Sequence, residues 1–142
     1  MELISNDFKH NKLMDKKFSY RDENRSPNLK WIDPPSSTKS FAISCNDPDA
    51  PVGDWIHWYV VNIPSDVIEI PQGGPIPGTE LENDYGQKGY GGPAPPSGTH
   101  RYFFKVYALD IEKLEGVNKR NFKEKIKEYT LDSAELIGLY KR

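Results

Sequence analysis

The chain has 142 residues, of which 36% are hydrophobic and 12% aromatic, and its 19 basic and 21 acidic side chains give a formal net charge of −2. A chain of this length suits one domain with a full core, and we predict a single domain over residues 1–142. Because the charge offers no basic face or stripe of the kind that binds nucleic acid, we expect no nucleic-acid partner.

The N-terminal segment gives little indication of structure. Residues 1–9 lack an apolar stretch long enough for a signal peptide, and no run in the chain approaches the roughly 18 apolar residues of a membrane span. We therefore expect a cytoplasmic protein with no stable membrane insertion. Residues 1–20 are predicted to be partly ordered or to form an edge element.

The first strong pattern is at residues 39–46, where apolar and small side chains alternate. This period of two predicts a strand with one buried face. The segment contains the only cysteine of the chain, Cys45, which has no partner for an internal disulfide. Its place in an apolar run predicts a buried thiol.

Two further segments, residues 55–63 and 101–109, are apolar on both faces, which predicts central strands covered on both sides. In the first, Trp55 and His57 share a face, and a strand that starts at His100 carries that imidazole at its first position. If the two strands pair, both imidazoles lie near one end of the sheet.

The segment 64–97 between them is rich in glycine and proline and poor in apolar residues. A passive loop of that length is unusual in a compact domain, so we expect it to be functional or partly disordered. Beyond it, residues 122–129 have the spacing of an amphipathic helix with one apolar stripe. Asn118 or Asn121 can cap this helix, with Glu124 completing a capping box. Strands with local turns followed by a late helix predict a mainly antiparallel β architecture with a few peripheral helices.

Two short segments carry the side chains best suited to chemistry. The run 47–51, Asp-Pro-Asp-Ala-Pro, precedes the first aromatic strand, and the run 98–102, Gly-Thr-His-Arg-Tyr, opens the second. The imidazoles of His57 and His100 can donate hydrogen bonds to phosphate or carboxylate. Backbone amides in the Gly-Gly-Pro turn at 91–93 can add donors, because glycine lets a ligand approach the main chain.

The residues alone leave other interpretations open. Asp47 followed by proline also starts turns, and a strand histidine can have its hydrogen bonds satisfied within the core. Two histidines and two aspartates could approach zinc or iron, but their spacing matches no ligand motif. A covalent nucleophile is poorly supported, since there is no Gly-x-Ser-x-Gly turn and Cys45 lies in a strand. We expect no metal, no cofactor and no catalytic residue.

Taken together, the two segments resemble the phosphatidylethanolamine-binding protein family, the group that includes the Raf kinase inhibitor protein-like members. The Gly-Gly-Pro and Pro-Pro runs before Gly98 look most like its bacterial and archaeal branch. The resemblance runs from about Pro27 to the C-terminus. It implies an antiparallel β-sandwich-like fold with a few peripheral helices and a small pocket at one end. It also favours a final strand over 134–140, where the pattern alone allows a helix or a strand.

The resemblance further implies a ligand pocket, whose lining positions match Asp47, Asp49, Pro51, Trp55, His57, Gly92, His100 and Tyr102. We expect the two histidines to donate to an anion and Gly92 to supply a backbone amide. The aspartates can orient the imidazoles or accept a hydrogen bond from a protonated phosphate or an ammonium headgroup, and we expect the first role. Tyr90 departs from the family, whose animal members have glycine there, and can reshape the entrance. With the turn residues Gly91 and Pro93 included, the ligand-binding candidates are Asp47, Asp49, Pro51, Trp55, His57, Gly91, Gly92, Pro93, His100 and Tyr102.

We therefore expect a protein that binds a small anionic or phosphorylated group and acts as a regulatory binder or inhibitor of a kinase or a protease. The alternative is a hydrolase that acts on a phosphate or acyl ester with the same histidines and aspartates. The missing nucleophile turn and metal motif favour the binder. The resemblance also allows a homodimer, because microbial relatives in the family are often dimeric. The aromatic content of the chain is compatible with such an interface.

Overall fold

The computed structural model describes residues 1–142 and is mainly β. It has one α-helix, α1, and a single turn of 3₁₀ helix at Lys16–Phe18. In chain order the elements are β1 (Glu2–Ile4), β2 (Lys12–Leu13), β3 (Leu29–Ile32), β4 (Ser40–Asp47), β5 (Trp55–Pro64), β6 (Glu69–Ile70), β7 (Thr79–Glu80), β8 (Thr99–Leu109), α1 (Phe122–Tyr129) and β9 (Thr130–Lys141). No helix is long and apolar enough to cross a lipid bilayer.

The strands form two sheets. The larger has six strands in the order β2-β9-β8-β4-β5-β7, and the smaller has three in the order β1-β3-β6. All neighbours run antiparallel except β2 and β9, which are parallel. The predicted fold class, a mainly β sandwich-like fold, is confirmed, although one α-helix replaces the few that were expected.

The hydrophobic core lies on both faces of the large sheet. On one face, Trp31 of the small sheet packs at 5.3 Å between ring centroids against Phe41 of β4, within a cluster of 18 buried residues. On the other face, α1 places Phe122 on Tyr59 of β5, with the rings stacked 3.8 Å apart. Strand β4 was predicted to bury one face only, but both of its faces are buried. Ala42 and Phe41, which lie on opposite faces, are both fully buried.

The C-terminal elements follow the sequence pattern closely. The helix over 122–129 is confirmed, and β9 decides the open choice at 134–140 in favour of a strand. The prediction of a capping box is wrong. Asn121 precedes the helix but makes no side-chain cap, because its Oδ1 accepts a hydrogen bond from the amide of Asn118 instead.

The strands that carry the two histidines do not pair with each other. Strand β4 lies between them, and hydrogen-bonds to β5 on one side and to β8 on the other. Because both pairings are antiparallel, the end of β4 lies beside the starts of β5 and β8. Asp47 is opposite Trp55, and Asn46 is opposite Phe103. The two imidazoles therefore still reach one end of the sheet.

Candidate functional site

A pocket of about 350 Å³ opens at that end of the large sheet. Its floor and walls come from the ends of β4, β5 and β8, the segment after the 3₁₀ turn, and the long loop 81–98. The lining residues are Tyr20, Arg21, Asp47, Ala50, Pro51, Val52, Trp55, His57, Tyr85, Ala94, Pro95, Pro96, His100 and Tyr102. Six of the ten predicted site residues are among them: Asp47, Pro51, Trp55, His57, His100 and Tyr102.

His100 is held by a buried carboxylate. Its Nδ1 lies 2.7 Å from Oδ2 of Asp47, and both side chains are nearly inaccessible to solvent. The other oxygen of Asp47 accepts a hydrogen bond of 2.8 Å from the amide of Asp49. The carboxylate therefore fixes the ring of His100 while it is itself fixed by the turn that follows β4.

His57 is held by a backbone carbonyl. Its Nδ1 lies 2.6 Å from the carbonyl oxygen of Gly91, and because a carbonyl can only accept, Nδ1 carries the hydrogen. Burial lowers the pKa of the His57 imidazole from its ordinary value, and the effect of burial outweighs the stabilising carbonyl and nearby carboxylates. The ring is therefore neutral near pH 7.

The Nε2 atoms of the two histidines are the polar groups left for a ligand. Neither makes a hydrogen bond within the protein, and neither is among the polar atoms sealed inside without a partner. The two rings line the same pocket, and the edge of the Tyr102 ring lies against His57 with centroids 5.1 Å apart. The site therefore presents two imidazole nitrogens to one small space.

The predicted glycine donors are not available. The amide of Gly92 donates to Oδ1 of Asn24 at 2.7 Å, and the amide of Gly91 donates to the carbonyl of His57 at 2.9 Å. The expectation that Gly92 supplies a backbone amide to the anion is therefore wrong. Gly91, Gly92 and Pro93 lie outside the lining of the pocket.

These glycines are needed for close packing. A Cβ on Gly92 would lie 2.0 Å from the carbonyl oxygen of Phe18, and one on Gly91 would lie 2.4 Å from the ring of Tyr85. The lack of a side chain lets the loop come close to the 3₁₀ turn and lets its carbonyls reach the site. The carbonyl of Gly91 orients His57, and the carbonyl of Gly92 accepts a hydrogen bond of 2.8 Å from the hydroxyl of Tyr85.

Asp49 does not orient an imidazole, contrary to the prediction. It makes two hydrogen bonds to the Arg101 guanidinium, at 2.8 and 2.9 Å, and accepts a third from the Arg101 amide. The hydrogen bonds from Arg101 lower the pKa of the Asp49 carboxyl to about 2. As the alternation of β8 predicts, Arg101 lies on the face opposite to His100, where it is half exposed and 5.3 Å from the ring of Phe103.

Sequence reasoning missed eight lining residues, of which three are aromatic or charged: Tyr20, Arg21 and Tyr85. The rings of Tyr20 and Tyr85 stack 3.9 Å apart, although 65 positions separate them in the chain, and Tyr85 is also edge-on to Trp55. Arg21 makes no hydrogen bond or ion pair within the protein and is the one lysine or arginine of the lining. Segments without periodicity gave no signal of these contacts. The unusual length of the segment 64–97, which was expected to be functional or partly disordered, was the one pointer to Tyr85.

Two other tyrosines have distinct positions. The hydroxyl of Tyr102 is buried without a hydrogen-bond partner, and burial raises its pKa. Tyr90, proposed from the sequence to reshape the entrance, is outside the lining. Its hydroxyl donates to the carbonyl of Phe18 at 2.9 Å, and its ring is edge-on to Trp58 in the core. Tyr90 therefore supports the loop from behind the site.

No group of three or more His, Cys, Asp or Glu side chains is arranged so that it could hold a metal ion. Cys45 is buried, and burial raises the pKa of its thiol. Ser97, the serine nearest to His100 in the sequence, is exposed, and both Ser97 and the adjacent Thr99 are outside the lining.

Comparison with known proteins gives a consistent result. The family model described as phosphatidylethanolamine-binding protein matches residues 4–141, a longer span than the sequence motifs indicated. A UPF0098 protein of Methanothermobacter thermautotrophicus is 40% identical, with 100% of this chain and 99% of the relative covered. The UPF0098 protein YbhB of Escherichia coli is 44% identical over 81% of this chain and 82% of its own length.

Two solved structures are similar over nearly the whole chain. The crystal structure of Escherichia coli YbcL, described as a new member of the mammalian PEBP family, superposes with a TM-score of 0.93 at 32% identity. It covers 99% of this chain and 98% of YbcL. The structure of CT736 from Chlamydia trachomatis, described as a homologue of phosphatidylethanolamine-binding protein, gives 0.92 at 35% identity, covering 99% and 97%.

Proposed function

The chain belongs to the phosphatidylethanolamine-binding protein family, and we propose that it binds a small anionic group, such as the phosphate of a phosphomonoester, in the pocket between His57 and His100. The observation that carries this proposal is the pair of free Nε2 atoms that face one pocket from two rigidly held rings. Preorganised rings lose little freedom on binding, so their hydrogen bonds contribute to affinity.

The electrostatics of the pocket support an anion. Arg21 adds an unpaired cation at the rim. The buried carboxylate of Asp47 opposes an anion, but it is hydrogen-bonded to His100 and to the turn, and so is partly neutralised. The remaining walls are aromatic or apolar, as in most small-molecule sites, with a few polar groups that fix orientation.

Inhibition of a kinase or a protease is the regulatory role that we propose for such a binder, on the strength of the family resemblance. The cytoplasmic location and the homodimer stay predictions from the sequence. Hydrolysis is a second candidate, because a carboxylate that orients an imidazole at 2.7 Å is also how a general base is held. The binder is favoured because the lining holds no serine, threonine or cysteine that could act as a nucleophile beside that imidazole.

The binding proposal predicts that His57→Ala and His100→Ala each weaken the binding of phosphate, phosphotyrosine or phosphoethanolamine by roughly tenfold or more. That factor corresponds to the roughly 1–3 kcal/mol of one hydrogen bond to a charged group. The measurement is a calorimetric titration of each variant, with product analysis of every sample.

The matched control is His10→Ala, which removes an exposed histidine that lies outside this pocket. Equal affinity in all three variants and the unaltered chain would contradict the proposal. Product that forms with the unaltered chain and is lost in His100→Ala would instead establish the hydrolase.

A further inference from the structure

We propose that the pocket selects oxyacids that still carry a proton, so that phosphomonoesters bind in preference to phosphodiesters and sulfate esters, with Nε2 of His57 accepting the hydrogen bond of the acid hydroxyl. This inference rests on the proposed function, since it names the chemical class of the anion that the same site takes.

His57 is held in one tautomer. Gly91 offers its carbonyl oxygen to Nδ1, so the ring hydrogen stays on that nitrogen. In the neutral ring, Nε2 is then a lone pair that faces the pocket and repels an anion oxygen without a hydrogen. The lowered pKa of His57 supports the neutral form. This nitrogen therefore suits a ligand that donates a hydrogen bond to it.

His100 differs from His57 in its partner. A protonated His100 would have the Asp47 carboxylate as a counter-charge on Nδ1 and could donate from Nε2 to a ligand oxygen. His57 has only a carbonyl at the corresponding position. Nε2 of His100 can therefore act as a charged donor, while Nε2 of His57 acts as an acceptor. A ligand that hydrogen-bonds to both needs an anionic oxygen and a hydroxyl.

No other charged group supplies the missing hydrogen to His57. The side chains that surround it from the neighbouring elements are Asp47 of β4, His100 and Tyr102 of β8, Asp84 and Tyr85 of the loop, and Tyr20 with Arg21 of the N-terminal segment. None of them is hydrogen-bonded to Nε2 of His57. The hydroxyl of Tyr85 is committed to the carbonyl of Gly92, and a carboxylate of Asp84 accepts from the amide of Ile56.

Phosphomonoesters meet this requirement near neutral pH. Their second pKa is about 6, and the singly protonated form has one P–OH and two unprotonated oxygens that share one negative charge. A phosphodiester or a sulfate ester has no such hydrogen, and leaves Nε2 of a neutral His57 without a hydrogen-bond donor. Binding of a monoester above pH 6 must then bring a proton into the complex.

The sharpest test compares methyl phosphate with methyl sulfate in calorimetric titrations at pH 5.5. At this pH both are monoanions of nearly equal shape, and they differ in one proton. We expect methyl phosphate to bind about tenfold more tightly or better, the worth of one hydrogen bond of about 1.4 kcal/mol. Equal affinity would overturn the inference while the proposed function stands. If neither methyl phosphate, methyl sulfate nor inorganic phosphate binds, the result contradicts both this inference and the proposed function.

A second arm distinguishes the sources of the phosphate. Phosphoethanolamine is a monoester, and glycerophosphoethanolamine is the diester headgroup of the corresponding lipid. We expect the monoester to bind more tightly at pH 5.5. Tighter binding of the diester would overturn the inference in favour of a lipid headgroup.

The third arm measures protons directly. Titrations of methyl phosphate at pH 8 in two buffers of different ionisation enthalpy should give a net uptake of at least about one proton per ligand bound, the proton of the P–OH, and of a second if His100 becomes charged on binding. A zero uptake would contradict the inference. In His57→Gln, whose amide can donate or accept, the preference for methyl phosphate over methyl sulfate should disappear. His10→Gln should retain it.

Discussion

Two histidines face one pocket with different partners at Nδ1, and this difference decides what each can do. His100 is paired with a carboxylate, and His57 with a carbonyl in a buried environment that lowers its pKa. The sequence predicted that both rings meet in a site. It could not predict their separate roles, because the carbonyl of Gly91 comes from a loop without a readable pattern.

The lowered pKa of His57 makes the stability of the protein depend on pH. Below its ordinary pKa of about 6.5 the unfolded chain binds a proton at His57 that the folded chain resists. The stabilising effect of the neutral ring is therefore fully present above that pH and is lost as the pH falls through it towards the lower folded value. We expect Tm to fall between pH 7.5 and 5.5, and to fall less in His57→Gln. Identical Tm profiles would count against a buried neutral ring.

At the scale of elements, the loop 81–98 makes the site possible by lying close to the 3₁₀ turn. The strands β4, β5 and β8 and the helix α1 could be predicted because their side chains have regular periods. The contacts of the loop could not be predicted in this way. Gly92 lets the loop approach the 3₁₀ turn because it has no side chain, and Asn24 holds the loop through one long-range hydrogen bond. The role of Asp49 was mispredicted for a similar reason, because only the register of β8 brings Arg101 to it.

The close approach of Gly92 to Phe18 predicts that Gly92→Ala destabilises the fold by about 2–3 kcal/mol or more, through a backbone clash that a flexible side chain cannot relieve. Gly98→Ala is the matched comparison, because Gly98 has a φ of +66° and open space around it. Its cost should be about 1 kcal/mol of backbone strain. Urea denaturation measures both. Similar losses in the two variants would mean that the loop moves away from the turn at little cost.

At the scale of the whole molecule, the two sheets share one core. Trp31 of the small sheet and Trp58 of the large sheet are both fully buried in the same cluster of apolar side chains. The single domain that the length predicted is therefore expected to unfold as one unit. The composition could suggest this, and the apolar runs 55–63 and 101–109 predicted strands covered on both sides, but neither could show that the small sheet and α1 cover the two faces.

A shared core predicts that the amides of β3 and β4 exchange with solvent at the same free energy, which equals that of global unfolding. Hydrogen exchange followed by NMR, compared with urea denaturation, tests this. The amide of Trp31, which donates to the carbonyl of Ile68, is a suitable reporter for the small sheet. Lower protection throughout β3 than in β4 would mean that the small sheet opens by itself.

The position of β4 between β5 and β8 also affects how the protein is made. Asp47 and His57 leave the ribosome early, but His100 follows more than 40 residues later and β9 completes the sheet last. Pairing across such sequence separations is slow relative to local pairing. A nascent chain thus has one imidazole and the carboxylate of the site long before it has the second imidazole. The anion binding that we propose therefore requires a chain that is near the end of its synthesis.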